Sequence, residues 1–78
     1  PLAEYAIRHP PQDDDVLLSD RELDILRLMA QGMTNVEIAD LLFRSPATVK
    51  DYVRNIMVKL GVRNRVEAVT KAVRQGLI

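Results

Sequence analysis

The sequence predicts an all-α domain, a four-helix bundle, and three observations carry that prediction. From residue 19 onward, apolar residues recur three to four positions apart with polar residues between them, the spacing of amphipathic helices. Ser19, Thr34, Ser45 and Asn64 each precede such a run, and Glu22, Glu37 and Glu67 stand three residues after Ser19, Thr34 and Asn64, the layout of a capping box. Gly32, Gly61 and Gly76 follow three of the runs, so the connections are only two to four residues long, which suits a compact bundle.

The first helix is expected over about residues 20–31, with Leu23, Ile25, Leu26, Leu28 and Met29 on its apolar side and Asp20, Asp24, Arg27 and Gln31 toward solvent. The second, about 35–42, is expected to bury Val36, Ile38, Ala39, Leu41 and Leu42, after which Phe43 and Arg44 turn the chain into Ser45. The third, 46–60, has Ser45 as its cap and Pro46 at the first helical position, where a missing N–H costs nothing. At about 100° per residue, Val49, Val53, Ile56 and Leu60 share one stripe, while Ala47, Lys50, Asp51, Arg54 and Val58 lie opposite. The fourth, about 65–75, is expected to turn Val66, Val69 and Val73 inward, leaving Ala68 and Ala72 on the other side.

Residues 1–18 show no sustained period and carry Pro1, Pro10, Pro11 and the run Asp13 to Asp15, so they read as an interdomain linker or tail, in which Leu2, Tyr5 and Ile7 could still dock. Side chains of consecutive aspartates diverge and no calcium-loop spacing follows, so the run reads as solvated rather than as a metal site. The chain begins at Pro1, not Met, and is expected to be a piece of a longer protein.

Seventy-eight residues allow one domain, residues 19–78, with a small core and no cleft between domains. No apolar run approaches the roughly 20 residues needed to span a bilayer, no signal-peptide layout is present and there is no cysteine, so a cytoplasmic protein without disulfides or thiolate metal sites is expected. Enzyme chemistry has little support. The sole histidine is His9, beside Pro10 in the linker, and Ser19, Thr34 and Ser45 are accounted for as helix caps; no cofactor or metal is expected. The formal net charge of zero conceals an asymmetry: residues 1–40 hold nine acids against three bases, and residues 41–78 hold eight bases against two acids. The second half is the one that a polyanion would meet.

A short helix, a tight turn and a longer helix form a helix-turn-helix arrangement, with 46–60 as the recognition helix. On that reading Lys50 and Arg54, one turn apart, reach base edges, and guanine is the usual target of either side chain. Thr48 in the first turn, Asn55 and Lys59 on the flank, and Thr34 and Asn35 at the start of the preceding helix are placed for backbone phosphates. Spacing and charge alone leave an alternative open, a helical protein-interaction module whose basic face meets an acidic partner.

Further residues distinguish the two. Leu18-Ser19-x-Arg21-Glu22 with Ile25-Leu26, then Gly32, Asn35-x-Glu37-Ile38-Ala39, Ser45-x-x-Thr48-Val49-Lys50, Val53-x-Asn55-Ile56, Lys59-Leu60-Gly61-Val62 and Asn64-Arg65-x-Glu67-Ala68 resemble the LuxR-type helix-turn-helix domain of the NarL/FixJ response regulators. The resemblance covers about 61 of the 78 residues with spacings kept throughout. It implies a DNA-binding domain at the C-terminal end of a transcription regulator in a two-component system, following a receiver domain phosphorylated on an aspartate outside this chain. It also implies that Lys50, Asp51 and Arg54 face the major groove of double-stranded DNA, that Thr48 and Lys59 hold phosphates, and that the last helix forms a homodimer. RNA polymerase is a candidate partner.

Three positions depart from the family pattern. Asp20 replaces a frequent proline, at little cost because an acid in the first turn suits the helix dipole. Tyr52 replaces a frequent histidine and is expected to pack with its hydroxyl near a phosphate. Asp51 replaces small apolar residues, and either accepts from cytosine N4 or turns toward Lys50 or Arg54. For the dimer, Ala68 and Ala72, four apart, with Lys71 and Gln75 beside them, are expected to form the contact face, and Ala68→Glu would then weaken self-association while leaving helicity intact.

Overall fold

Four side chains set where the helices begin in the computed structural model, which describes residues 17–78. Ser19, Thr34, Ser45 and Asn64 all take extended backbone angles, and each accepts a hydrogen bond from the amide three residues on. They open α1 (Asp20–Ala30), α2 (Asn35–Leu42), α3 (Pro46–Leu60) and α4 (Arg65–Arg74). The described residues form four helices and no strand, so the all-α expectation is met. The segment read as a linker, with His9 and Asp13 to Asp15, lies outside the described residues except for Leu17, which is exposed, and Leu18, which packs against the core.

Two capping boxes close reciprocally: Ser19 N donates to Glu22 Oε1 at 2.8 Å and Thr34 N to Glu37 Oε1 at 2.9 Å. The third is shifted. Asn64 Oδ1 accepts from Glu67 N at 2.9 Å, but the Glu67 carboxylate accepts from Arg63 N, one residue before the cap. Helices α1 and α4 end one residue earlier than expected, because Gln31 and Gln75 leave helical geometry as C-caps, with ψ of 0° and 1°. Gly61 ends α3 at φ 68°, a left-handed conformation that costs glycine nothing, and Val62 N then returns to Met57 O at 3.0 Å. Helix α2 ends on the same conformation at Phe43 (φ 55°), which is 93 % exposed. A side chain there is strained by about 1–2 kcal/mol, and the return bond from Arg44 N to Ala39 O at 2.9 Å holds it.

The core joins Ile25, Leu26 and Met29 of α1, Ile38 and Ala39 of α2, Val49, Val53, Ile56 and Leu60 of α3, and Ala68 and Ala72 of α4. Helix α3 packs on the other three, and α1 packs on α4. In α2, Val36 and Leu41 are 56 % and 54 % exposed, contrary to expectation. A two-turn helix lying mainly against α3 buries one narrow stripe, here Ile38 and Ala39 with Leu42 at its edge, and these two residues fall outside it.

The larger correction concerns α4, which is turned over relative to the expected orientation. Ala68 and Ala72 are fully buried, whereas Val66 and Val73 are 76 % and 60 % exposed and Val69 is half-buried. Two alanines four residues apart let α4 approach α1 and α3 closely, so the small-residue stripe serves the molecule's own core. Lys71 and Gln75 are also turned inward: Lys71 Nζ donates to Leu60 O at 2.7 Å, and Gln75 is half-buried with its Oε1 enclosed. The expected contact face built on Ala68 and Ala72 is therefore not exposed.

One ion pair ties α1 to α3. Glu22 is buried, and its Oε1 accepts from Lys59 Nζ at 2.7 Å as well as from Ser19 N. Burial pushes the Glu22 carboxyl up, but hydrogen bonds from Lys59 and Ser19, together with the Lys59 charge, outweigh burial and hold it below its ordinary value. A lowered folded value means that this contribution is complete above the ordinary carboxylate range and is lost as pH falls through the folded value. Glu22→Gln should lower stability in urea by about 1–3 kcal/mol near neutral pH, with the gap from wild type closing in acid. Ala68→Glu should place an unpaired charge in the core and remove the cooperative thermal transition, costing at least about 3 kcal/mol; retained helicity and melting temperature would show the face to be open.

Candidate nucleic-acid interface

The orientation of α3 follows from its apolar stripe. Val49, Val53, Ile56 and Leu60 are all buried, so the helix cannot rotate without exposing them. Opposite them Ala47, Lys50, Asp51, Arg54 and Val58 are all exposed, as is Asn55 on the flank. Among the described residues, neither Lys50 nor Arg54 enters an ion pair, and both cations are exposed on one face. Asp51 is not paired with either of them. The face is thus a row of donors with one carboxylate between them, carried on a helix held from behind.

At the start of α3, Ser45 Oγ accepts from Thr48 N at 3.1 Å and lies 2.9 Å from Thr48 Oγ1, so two hydroxyls share the N-terminal turn. Tyr52 is half-buried against the core, as its place at the stripe's edge predicts. At the start of α2, Thr34 Oγ1 accepts from Glu37 N at 3.2 Å. The Thr34 amide, and after it the Thr34 side chain, hold the Glu37 carboxyl below its ordinary value, so an ionised carboxylate shares this helix end with the expected phosphate contacts. Asn35 is half-buried, and its Oδ1 accepts from Arg65 Nη1.

Lys59 has a partner that the sequence reading did not foresee. Its ammonium donates to buried Glu22, and the side chain remains 43 % exposed, so its other N–H donors stay open to a further acceptor. Three structural roles escaped the sequence reading: Glu22 as the acceptor for Lys59, Lys71 as a cap on the α3 C-terminus, and Arg65 as a link from α4 to the α1–α2 turn. Only Arg65 left a signal. It is a cation at the first position of a helix, where the dipole disfavours positive charge, so it needs acceptors elsewhere.

Among the described residues, no three His, Cys, Asp or Glu side chains are grouped to hold a metal, and no helix is long and apolar enough to cross a membrane. An open groove of about 420 Å³ between the α1–α2 turn and α4 is lined largely by apolar residues, including Met29, Met33, Val66 and Val69, and by none from α3.

Residues 16–72 match the family model of the luxR family of bacterial regulatory proteins. The chain is 47 % identical over 57 residues to the nitrate/nitrite response regulator protein NarP of Escherichia coli, a match covering 73 % of this chain and 26 % of that protein. It is 49 % identical over 61 residues to the HTH-type transcriptional activator RamA of Corynebacterium glutamicum, covering 78 % of this chain and 22 % of that protein. The chain thus spans about a quarter of the length of these relatives. Its fold is similar to the crystal structure of the response regulator ChrA of a heme-sensing two-component system, with a TM-score of 0.79 and 40 % identity over 99 % of this chain and 37 % of that one. With a helix-turn-helix whose second helix turns exposed cations outward, and with relatives that are transcription regulators rather than enzymes, the chain belongs to the luxR family of DNA-binding bacterial regulatory proteins.

Proposed function

We propose that this domain is the C-terminal effector of a cytoplasmic two-component response regulator, preceded in the full protein by a receiver domain, and that it binds specific duplex DNA with α3 in the major groove. The observation that carries the reading is the division of α3 into a buried stripe and an opposite face with two exposed cations that have no ion-pair partner among the described residues. Lys50 and Arg54 read base edges, and Asp51, tied to neither of them, accepts from cytosine N4. Thr34, Asn35, Thr48 and Asn55 hold backbone phosphates, with the Tyr52 hydroxyl beside them. Lys59 holds the end of α3 on Glu22 and turns its remaining N–H donors to a phosphate. RNA polymerase is the partner through which such a bound regulator acts on transcription.

Two copies bind together. A single copy has zero net charge and a small DNA footprint, and half-sites one helical turn apart suit a two-fold pair. With Ala68 and Ala72 inside, the part of α4 open to a second copy is the stripe of Val66 and Val73, so the contact moves to these residues.

Selection of bound sequences from a random duplex pool tests the reading directly, and a pool with no enriched motif, tested at concentrations where the protein is paired, would count against it. On the enriched site Lys50→Ala and Arg54→Ala should each cost about 1–3 kcal/mol and relax the base preference at one position. Val66→Glu should leave the melting temperature near wild type while halving the mass bound per two-half-site duplex in sedimentation. An unchanged stoichiometry would remove this face of α4 as the contact.

A further inference from the structure

Arg65 is placed where its charge is unwelcome, and what it touches explains the placement. It is the first residue of α4, half-buried, at the end of a helix whose dipole opposes a cation. No carboxylate compensates it among the described residues. Its guanidinium instead reaches across to the α1–α2 turn, where Nη1 donates to Asn35 Oδ1 and Nη2 donates to Met33 O at 2.8 Å. These two acceptors flank Thr34, the cap of α2, so the fork holds both sides of the residue that starts the helix.

The chemistry of the pair has one further consequence. A carboxamide presents an oxygen on one arm and two N–H donors on the other, and a guanidinium offers only donors. Arg65 therefore accommodates Asn35 in one orientation alone, with the oxygen toward the cation and Nδ2 on the opposite arm. Without Arg65 the amide could turn over and present its oxygen outward, where it would repel a phosphate. The choice matters because other groups at this end are engaged: Thr34 N donates to Glu37 Oε1, and Glu37 N donates to Thr34 Oγ1. The Asn35 Nδ2 donors are among the few left to receive an anion.

We propose that Arg65 is a positioning residue for DNA binding, holding the Asn35 carboxamide so that its donors rather than its oxygen meet a DNA phosphate at the start of α2. This rests on the DNA reading above and adds to it a residue that touches no DNA. Lysine does not substitute, since an ammonium on a flexible stem lacks the fixed fork that spans the Asn35 and Met33 oxygens.

The test is a double-mutant cycle on the enriched duplex, run at a temperature where circular dichroism shows every variant folded. Arg65→Gln and Asn35→Ala should each weaken binding about tenfold, and the double variant no more than either alone. Arg65→Lys should not restore binding, and it supplies the measurement if Arg65→Gln fails to fold. The slope of log affinity against log salt should be unchanged in all variants, whereas a direct phosphate contact by Arg65 would lower it by about 0.9. In ¹⁵N–¹H spectra of the DNA-free protein, Arg65→Gln should shift the Asn35 side-chain amide pair. Additive losses, a changed salt slope, full affinity in Arg65→Gln or an unshifted amide pair would each overturn the proposal. A wild-type protein that binds no duplex would instead sink the DNA reading itself, and the role given to Arg65 with it.

Discussion

Burial of a single stripe of α3 is the constraint on which the rest of this structure depends. Val49, Val53, Ile56 and Leu60 meet side chains from all three other helices, and each such burial is worth about 1.5–3 kcal/mol. Rotating α3 by a quarter turn would forfeit most of that and move Lys50 and Arg54 off the face that they now share. The apolar stripe is thus what holds the polar one in place, and the precision with which the exposed face is presented is set by residues that are not on it.

Polar links reinforce the same geometry from three directions. Glu22 of α1 holds Lys59 near the C-terminal end of α3, Lys71 of α4 satisfies the Leu60 carbonyl at that end, and Arg65 fastens the start of α4 to the turn before α2. Each joins residues from different helices or turns, so none contributes to an isolated helix. A small core gains from such links. With only eleven buried apolar residues among those described, the hydrophobic term alone leaves the relative tilt of short helices loosely defined, and a bond between two elements removes that freedom.

Helix α4 shows how one sequence feature supports opposite structures. Alanines at Ala68 and Ala72 permit a close approach, and nothing in their spacing says whether the approaching surface belongs to the same chain or to another. The valines at Val66, Val69 and Val73 describe a stripe of similar quality on the other side. Hydrophobicity favours burying the valines, but an inward Val66 or Val73 would hold α4 away from α1 and α3, and the packing density of the interior decides for the alanines.

What the sequence determined by itself was local. The caps at Ser19, Thr34, Ser45 and Asn64, the stop at Gly61 and the two stripes of α3 follow from hydrogen bonds and periodicities within about four residues, so all four helices and the outward face of α3 are legible in the order of residues alone. What only the tertiary structure decided was the use of residues whose partners lie far along the chain. Lys59 reads as an unpartnered cation until Glu22, 37 positions away, is seen to accept from it, and Asn35 reads as a free amide until Arg65, 30 positions away, is seen to donate to its oxygen. The face of α4 belongs with these, because two stripes of comparable apolarity are ranked only by the space that the other helices leave between them.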